Sequence, residues 1–146
     1  MRSTPCIGIC STTYGDLICR GCKRFAHEIV AWNGYTDDQR NRVSHRLFTL
    51  RDEATAAFLC VADVRLLRDV GATAKLQRSG DMSLLTLGYE LLRRRARDMI
   101  SLDEIGLRAL HDELAMPIAV RDAIDQEFYV RSVAHFEHSF HTPVDS

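Results

Sequence analysis

Four of the chain's five cysteines fall in one short run, PCIGICSTTYGDLICRGC, as Cys6-x3-Cys10 and Cys19-x2-Cys22 with eight residues between the pairs. Two close pairs joined by a short turn can bring four thiolates around one ion, and zinc takes such a soft tetrahedral shell. Gly21, just before the last of these cysteines, is expected to supply the positive φ that a metal knuckle commonly needs. Gly8 and Gly15 offer similar freedom upstream, and Pro5 stiffens the approach to Cys6. A redox pair of the thioredoxin kind opens a helix after a strand in a βαβ setting, and no such pattern surrounds Cys19. The start, MRSTPCIGICS, has no apolar h-region and no small-residue cleavage site. The expected location is therefore cytoplasmic, where a reducing environment disfavours structural disulfides. Cys6, Cys10, Cys19 and Cys22 are accordingly the predicted metal ligands, with zinc as the ion. An iron–sulfur cluster also takes four thiolates and is the alternative, although the spacing follows neither ferredoxin pattern.

The longer run PCIGICSTTYGDLICRGCKRFAHEIVAWNGYTDDQRNRVSHRL resembles a small bacterial family, the domain of unknown function 1289, whose members are described as predicted iron–sulfur proteins. The resemblance rests on Cys6, Cys10, Cys19, Gly21, Cys22, Arg24, Glu28, Ile29 and Trp32, and covers residues 5 to about 47. One departure is Phe25-Ala26, where the family's pattern has a Thr after the Arg; it leaves the cysteines untouched. The resemblance implies a metal-binding module and no assigned reaction.

Beyond the cysteines the pattern is helical. Residues 24–33 read as a short helix stopped by Gly34, with Ile29 and Trp32 on one side and the indole free to pack over the knuckles. Thr36-Asp37-Asp38-Gln39 is a capping box with two acids suited to the helix dipole. From there Val43, Leu47, Leu50, Ala54, Ala57, Val61 and Val64 keep helical spacing, which predicts one long helix to Val70, ended by Gly71. Cys60 then lies on a helical face as an inert core thiol. Residues 71–82 read as a loop or a frayed helix. Leu84, Leu87, Leu91, Leu92, Ala96 and Met99 form a stripe on the next helix. Ser101-Leu102-Asp103-Glu104 is a second capping box, expected to start a helix through LDEIGLRALHDELA. Pro117 suits the first turn of a last helix reaching about residue 139. Strand signals are absent. The expected class is all-α: a helical bundle, residues 36–146, behind a small four-cysteine metal-binding module, residues 1–35.

An apolar fraction of 46% and a charged fraction of 27% fit a soluble globular chain. No apolar run reaches the ~18 residues of a membrane span. Net charge is −1, so there is no global pull toward nucleic acid. The charge is uneven: residues 1–50 carry seven Lys/Arg against four Asp/Glu, residues 51–100 nine against seven, and residues 101–146 three against nine. Arg93, Arg94, Arg95 and Arg97 form the densest basic stretch, but consecutive helical residues fan by about 100°. They read as a solvated face paired to the acidic C-terminal third. With Lys23 and Arg24 they support nucleic-acid binding only as a weaker alternative. His135, His138 and His141 recur every third residue and read as exposed, since the third drifts away from the first. His27 and His45 are candidates for outer contacts to the cysteine site.

Catalytic triads, phosphate loops and dinucleotide fingerprints are missing, and the chain is not expected to be an enzyme. The predicted function is a zinc-stapled interaction or adaptor protein, its partner another protein. An apolar stripe on the long helix is compatible with a dimer.

Overall fold

Thr36 opens the first long helix through the reciprocal box that its sequence predicts. Its hydroxyl accepts from the Gln39 N–H at 3.2 Å, and Gln39 Oε1 accepts from the Thr36 N–H at 2.8 Å. The computed structural model describes residues 16–74 and 83–140. Cys6, Cys10, most of the expected 71–82 loop, and His141 lie outside the described residues. In chain order the elements are α1 (Ala26–Ala31), α2 (Asp37–Ala56), β1 (Leu59–Val61), α3 (Val64–Thr73), α4 (Leu84–Arg95), β2 (Leu107–Ala109) and α5 (Pro117–Phe140). The chain is mainly helical, as expected. It divides into two units: Met1–Leu50 with Phe128–Ser146, and Arg51–Glu127.

The predicted helix through Val70 breaks after Ala56. Leu59–Val61 instead pairs antiparallel with Leu107–Ala109, in the register Leu59 to Ala109, Cys60 to Arg108 and Val61 to Leu107. Asp63 then caps a fresh helix, its carboxylate accepting from the Leu66 N–H at 3.0 Å. The apolar spacing of three and four runs through this break by coincidence, which is why periodicity alone reads it as continuous. Cys60 consequently sits half-buried on a strand and not on a helical face. Gly71 does not end a helix either. It lies buried within α3, where a Cβ would come 2.7 Å from Leu87 Cδ1, so its bare backbone lets α3 and α4 approach.

The second capping box forms but governs a single turn. The Ser101 hydroxyl accepts from the Asp103 N–H at 3.2 Å, and Glu104 accepts from the Ser101 N–H at 2.8 Å. The turn Leu102–Ile105 is 3-10, and Gly106 ends it at φ 79°. From that left-handed position the Gly106 carbonyl accepts from the Ala62 and Asp63 N–H groups at 2.8 and 3.1 Å. The chain leaves as β2, followed by a 3-10 turn at Asp112–Leu114, so the helix expected over LDEIGLRALHDELA is absent. Leu59, Leu67, Leu87, Leu91 and Leu107 are almost wholly buried in this unit. Asp52 accepts from the hydroxyls of Ser83 at 2.9 Å and Thr86 at 2.7 Å, fastening the end of α2 to the start of α4. Arg93 and Arg94 pair with Glu90 of their own helix at 2.8 and 4.0 Å and, among the described residues, not with the acidic C-terminal third. Pro117 begins α5, as predicted.

A side chain at Gly106 would meet both the left-handed strain and the Asp63 carbonyl, 2.4 Å from an ideal Cβ. Gly106→Ala is expected to lower the unfolding free energy by roughly 2–4 kcal/mol, read from urea denaturation against wild type.

Candidate metal centre

Cys19 and Cys22 stand at the tip of a tight reversal built by the backbone of residues 18–25. Ile18 and Phe25 form an antiparallel bridge, and the Ala26 N–H donates to the Leu17 carbonyl at 2.7 Å. Inside that bridge the Cys19 N–H donates to the Arg24 carbonyl at 2.9 Å, and the Lys23 N–H donates to the Cys19 carbonyl at 2.8 Å. Both cysteines are buried, at 1% and 5% exposure, and neither is in a disulfide among the described residues. The positive φ that the reversal requires falls at Lys23, at 67°, and not at Gly21. Closing the bond from residue 23 back to residue 19 places the left-handed residue after the second cysteine, where no glycine stands.

Lys23 holds that conformation with its own side chain. The ammonium folds back to donate to the carbonyls of Arg20 and, at 3.0 Å, of Gly21, and lies 5.2 Å from the centre of the Phe128 ring. It is fully buried. Arg24 reaches the sulfur: Nε–H donates to Cys22 Sγ at 3.3 Å, and the guanidinium covers the Trp32 ring at 4.8 Å. Burial pushes the Cys22 thiol up from its ordinary pKa. Side-chain and backbone hydrogen bonds from Arg24, and then its charge, pull it back, while Cys19 adds a smaller upward push.

The knuckle rests on Phe25, which is buried. His135 and Phe136 of α5 approach its ring at 6.3 and 4.9 Å, and the Arg46 guanidinium covers it at 4.0 Å. Glu28 is buried beside it. The carboxylate accepts from the Phe25 N–H at 2.8 Å, ordering the start of α1, and takes both terminal nitrogens of Arg46 in a fork. The sequence pattern marks Glu28 but not Arg46, which sits eighteen residues away on α2. A helix-face arginine has no local signature of such a partner.

The sites expected from sequence divide as follows. Cys19 and Cys22 are brought together, and Trp32 is buried and stacked on Arg24, next to the second knuckle. Cys6 and Cys10 lie outside the described residues. Among the described residues, no group of three or more His, Cys, Asp or Glu could hold an ion, so the pair supplies two of the four predicted ligands. His27 is exposed, with its ring 5.8 Å from Phe25, and His45 is exposed on α2. His135 turns inward against Phe25, half-buried, whereas His138 is exposed. Two buried thiols on one knuckle, with an N–H aimed at one sulfur, fit a thiolate-bound metal or cluster; a closed ion would be held by these two and the two upstream cysteines.

Residues 4–51 match the model of a family described as a protein of unknown function (DUF1289), the family and segment that the cysteine pattern resembles. No curated protein and no solved structure matches the chain.

Two outcomes follow from the geometry behind the knuckle. Arg46→Met strands the buried Glu28 carboxylate and is expected to cost about 3–5 kcal/mol, measured by urea unfolding. Burial, then the charges of Arg46 and His138, hold His135 below its ordinary pKa, with Glu28 opposing. Its neutral form is favoured in the fold, so stability is full above the unfolded value near ~6.5 and falls as pH drops toward the folded value. Melting between about pH 7 and 5 should show this loss, reduced in His135→Gln.

Proposed function

We propose that this protein is a metal-binding interaction or adaptor protein in which Cys6, Cys10, Cys19 and Cys22 hold a structural zinc ion. The observation that carries this reading is the 18–25 reversal, which buries two cysteine thiols at its tip and directs the Arg24 N–H at one of them. Four thiolates around zinc leave no open coordination position, so the ion braces the fold and does no chemistry. The residues 1–35 form the metal module in this reading, and the helical remainder, a bundle, supplies the surface for a protein partner. A reducing cytoplasm suits thiols kept free for an ion. No helix among the described residues is long and apolar enough to cross a membrane, which agrees with a partner away from the bilayer.

An iron–sulfur redox or sensor protein is the second reading. The N–H donated to Cys22 Sγ favours it to the same degree, because hydrogen bonds to cluster thiolates set reduction potential. Nucleic-acid binding is less well supported. Lys23 and Arg24 are buried, and Arg93 and Arg94 are engaged with Glu90.

Elemental analysis and an absorption spectrum of anaerobically purified protein separate the readings. One zinc per chain without visible colour supports the staple. Iron with acid-labile sulfide overturns it in favour of the cluster. Cys19→Ser or Cys22→Ser is expected to abolish metal retention and to unfold the N-terminal module while the later helices persist, as seen by metal content and far-UV circular dichroism. Unchanged metal and melting in these variants would sink the four-thiolate model.

A further inference from the structure

A guanidinium that is 95% removed from water requires an anion or strong acceptors nearby, since an unpaired buried charge is among the costliest features a fold can carry. Arg24 is 5% exposed. Among the described residues it forms no ion pair with a carboxylate: Asp16 pairs with Arg20 at 3.5 Å, and Glu28 is taken by Arg46. Residues 1–15, upstream of the knuckle, contain no Asp or Glu at all. The group that Arg24 Nε–H does address is Cys22 Sγ.

We propose that Arg24 is a positioning residue of the metal centre: clamped between Trp32 and Cys22, it holds the Cys22 sulfur in its ligating direction and offsets the negative charge of the four-thiolate shell. This rests on the four-cysteine reading above and extends it to the residue that makes the shell tolerable in a buried place. Zinc, cobalt(II) or an oxidised cluster bound by four thiolates is in each case a dianion, so the need for a neighbouring cation does not depend on which is bound.

Two features place the role on Arg24 and not on the knuckle in general. Its carbonyl accepts the Cys19 N–H at 2.9 Å while its side chain donates to Cys22, so one residue fixes the backbone of the first cysteine and the sulfur of the second. The Trp32 ring at 4.8 Å limits the guanidinium plane from one side and keeps water from that face. Lys23 brings a second buried cation into the same turn, with its ammonium on the carbonyls of Arg20 and Gly21, the two residues between the cysteines.

The test uses the full chain, reduced and metal-free, titrated with Co²⁺ and then competed with Zn²⁺ and a chelator. A donated N–H lowers the energy of the sulfur lone pairs, so its loss should move the thiolate-to-cobalt charge-transfer band to lower energy. Arg24→Gln is expected to shift that band and to weaken Zn²⁺ binding about 10–100-fold, the usual effect of removing a hydrogen-bond partner of a metal ligand. Arg24→Lys keeps a cation and an apolar stem against Trp32. It should fold even where the glutamine variant does not, and should show the same band shift with a smaller loss of affinity. If wild type and both variants bind Co²⁺ with the same band and the same affinity, Arg24 has no such role, although the four-thiolate reading stands. If wild type takes up no Co²⁺, that reading falls and this inference falls with it.

Discussion

The buried fork between Glu28 and Arg46 is the contact on which the N-terminal unit depends. A six-residue helix such as α1 cannot hold itself together in water, because nucleating a helix costs more than one turn of hydrogen bonds returns. Glu28 supplies what is missing in two directions. Toward its own chain it accepts the Phe25 N–H, which fixes where α1 begins and so the exit of the knuckle. Toward α2 it receives both ends of Arg46, whose guanidinium also lies over the Phe25 ring, 4.0 Å from its centre. The charges need each other, since either alone in that setting would be an uncompensated ion.

The family match ends at residue 51, close to the boundary of the first unit at Leu50, but that unit also includes the stretch from Phe128 onward. The apolar floor of the knuckle draws on that stretch. Phe128 lies under the Lys23 ammonium, Tyr129 under the Arg20 guanidinium at 4.6 Å, and Phe136 against Phe25. In this chain, then, a segment outside the family match packs against the 18–25 turn. The Phe25 ring fills the space between Arg46, His135 and Phe136.

Much of the architecture was legible from short, local signals. Thr36 with Gln39 and Ser101 with Glu104 announced real caps because a cap is made by residues three apart. Pro117 announced the last helix for the same reason. The errors came where a distant partner decided the outcome. Leu59–Val61 became a strand because Leu107–Ala109 was there to pair with it, and nothing within a helix turn of Cys60 reports that. The capping box at Ser101 was sound, yet Gly106 ended its helix after one turn, since the left-handed carbonyl it presents to Ala62 and Asp63 is a tertiary contact. At the site, the cysteine spacing points to the turn that carries Cys19 and Cys22, but the positive φ falls on another residue than the glycine. Gly21 looked like the residue to take positive φ, and the hydrogen bond from Lys23 to Cys19 assigned that duty to a lysine.

That assignment has an electrostatic consequence. A glycine at the left-handed position would spare the steric penalty of a Cβ there, of order 1–2 kcal/mol. Lysine accepts the penalty and places an ammonium on the carbonyls of the turn, beside the guanidinium that Arg24 directs at sulfur. Two adjacent cations in one eight-residue reversal repel each other, and their burial costs them hydration. At Cys22 burial favours the neutral thiol, and the hydrogen bonds and charge of Arg24 oppose it. Under the proposed metal-binding reading the sulfur at Cys22 would be anionic, and the Arg24 N–H that points at it would then work in favour of the charged form.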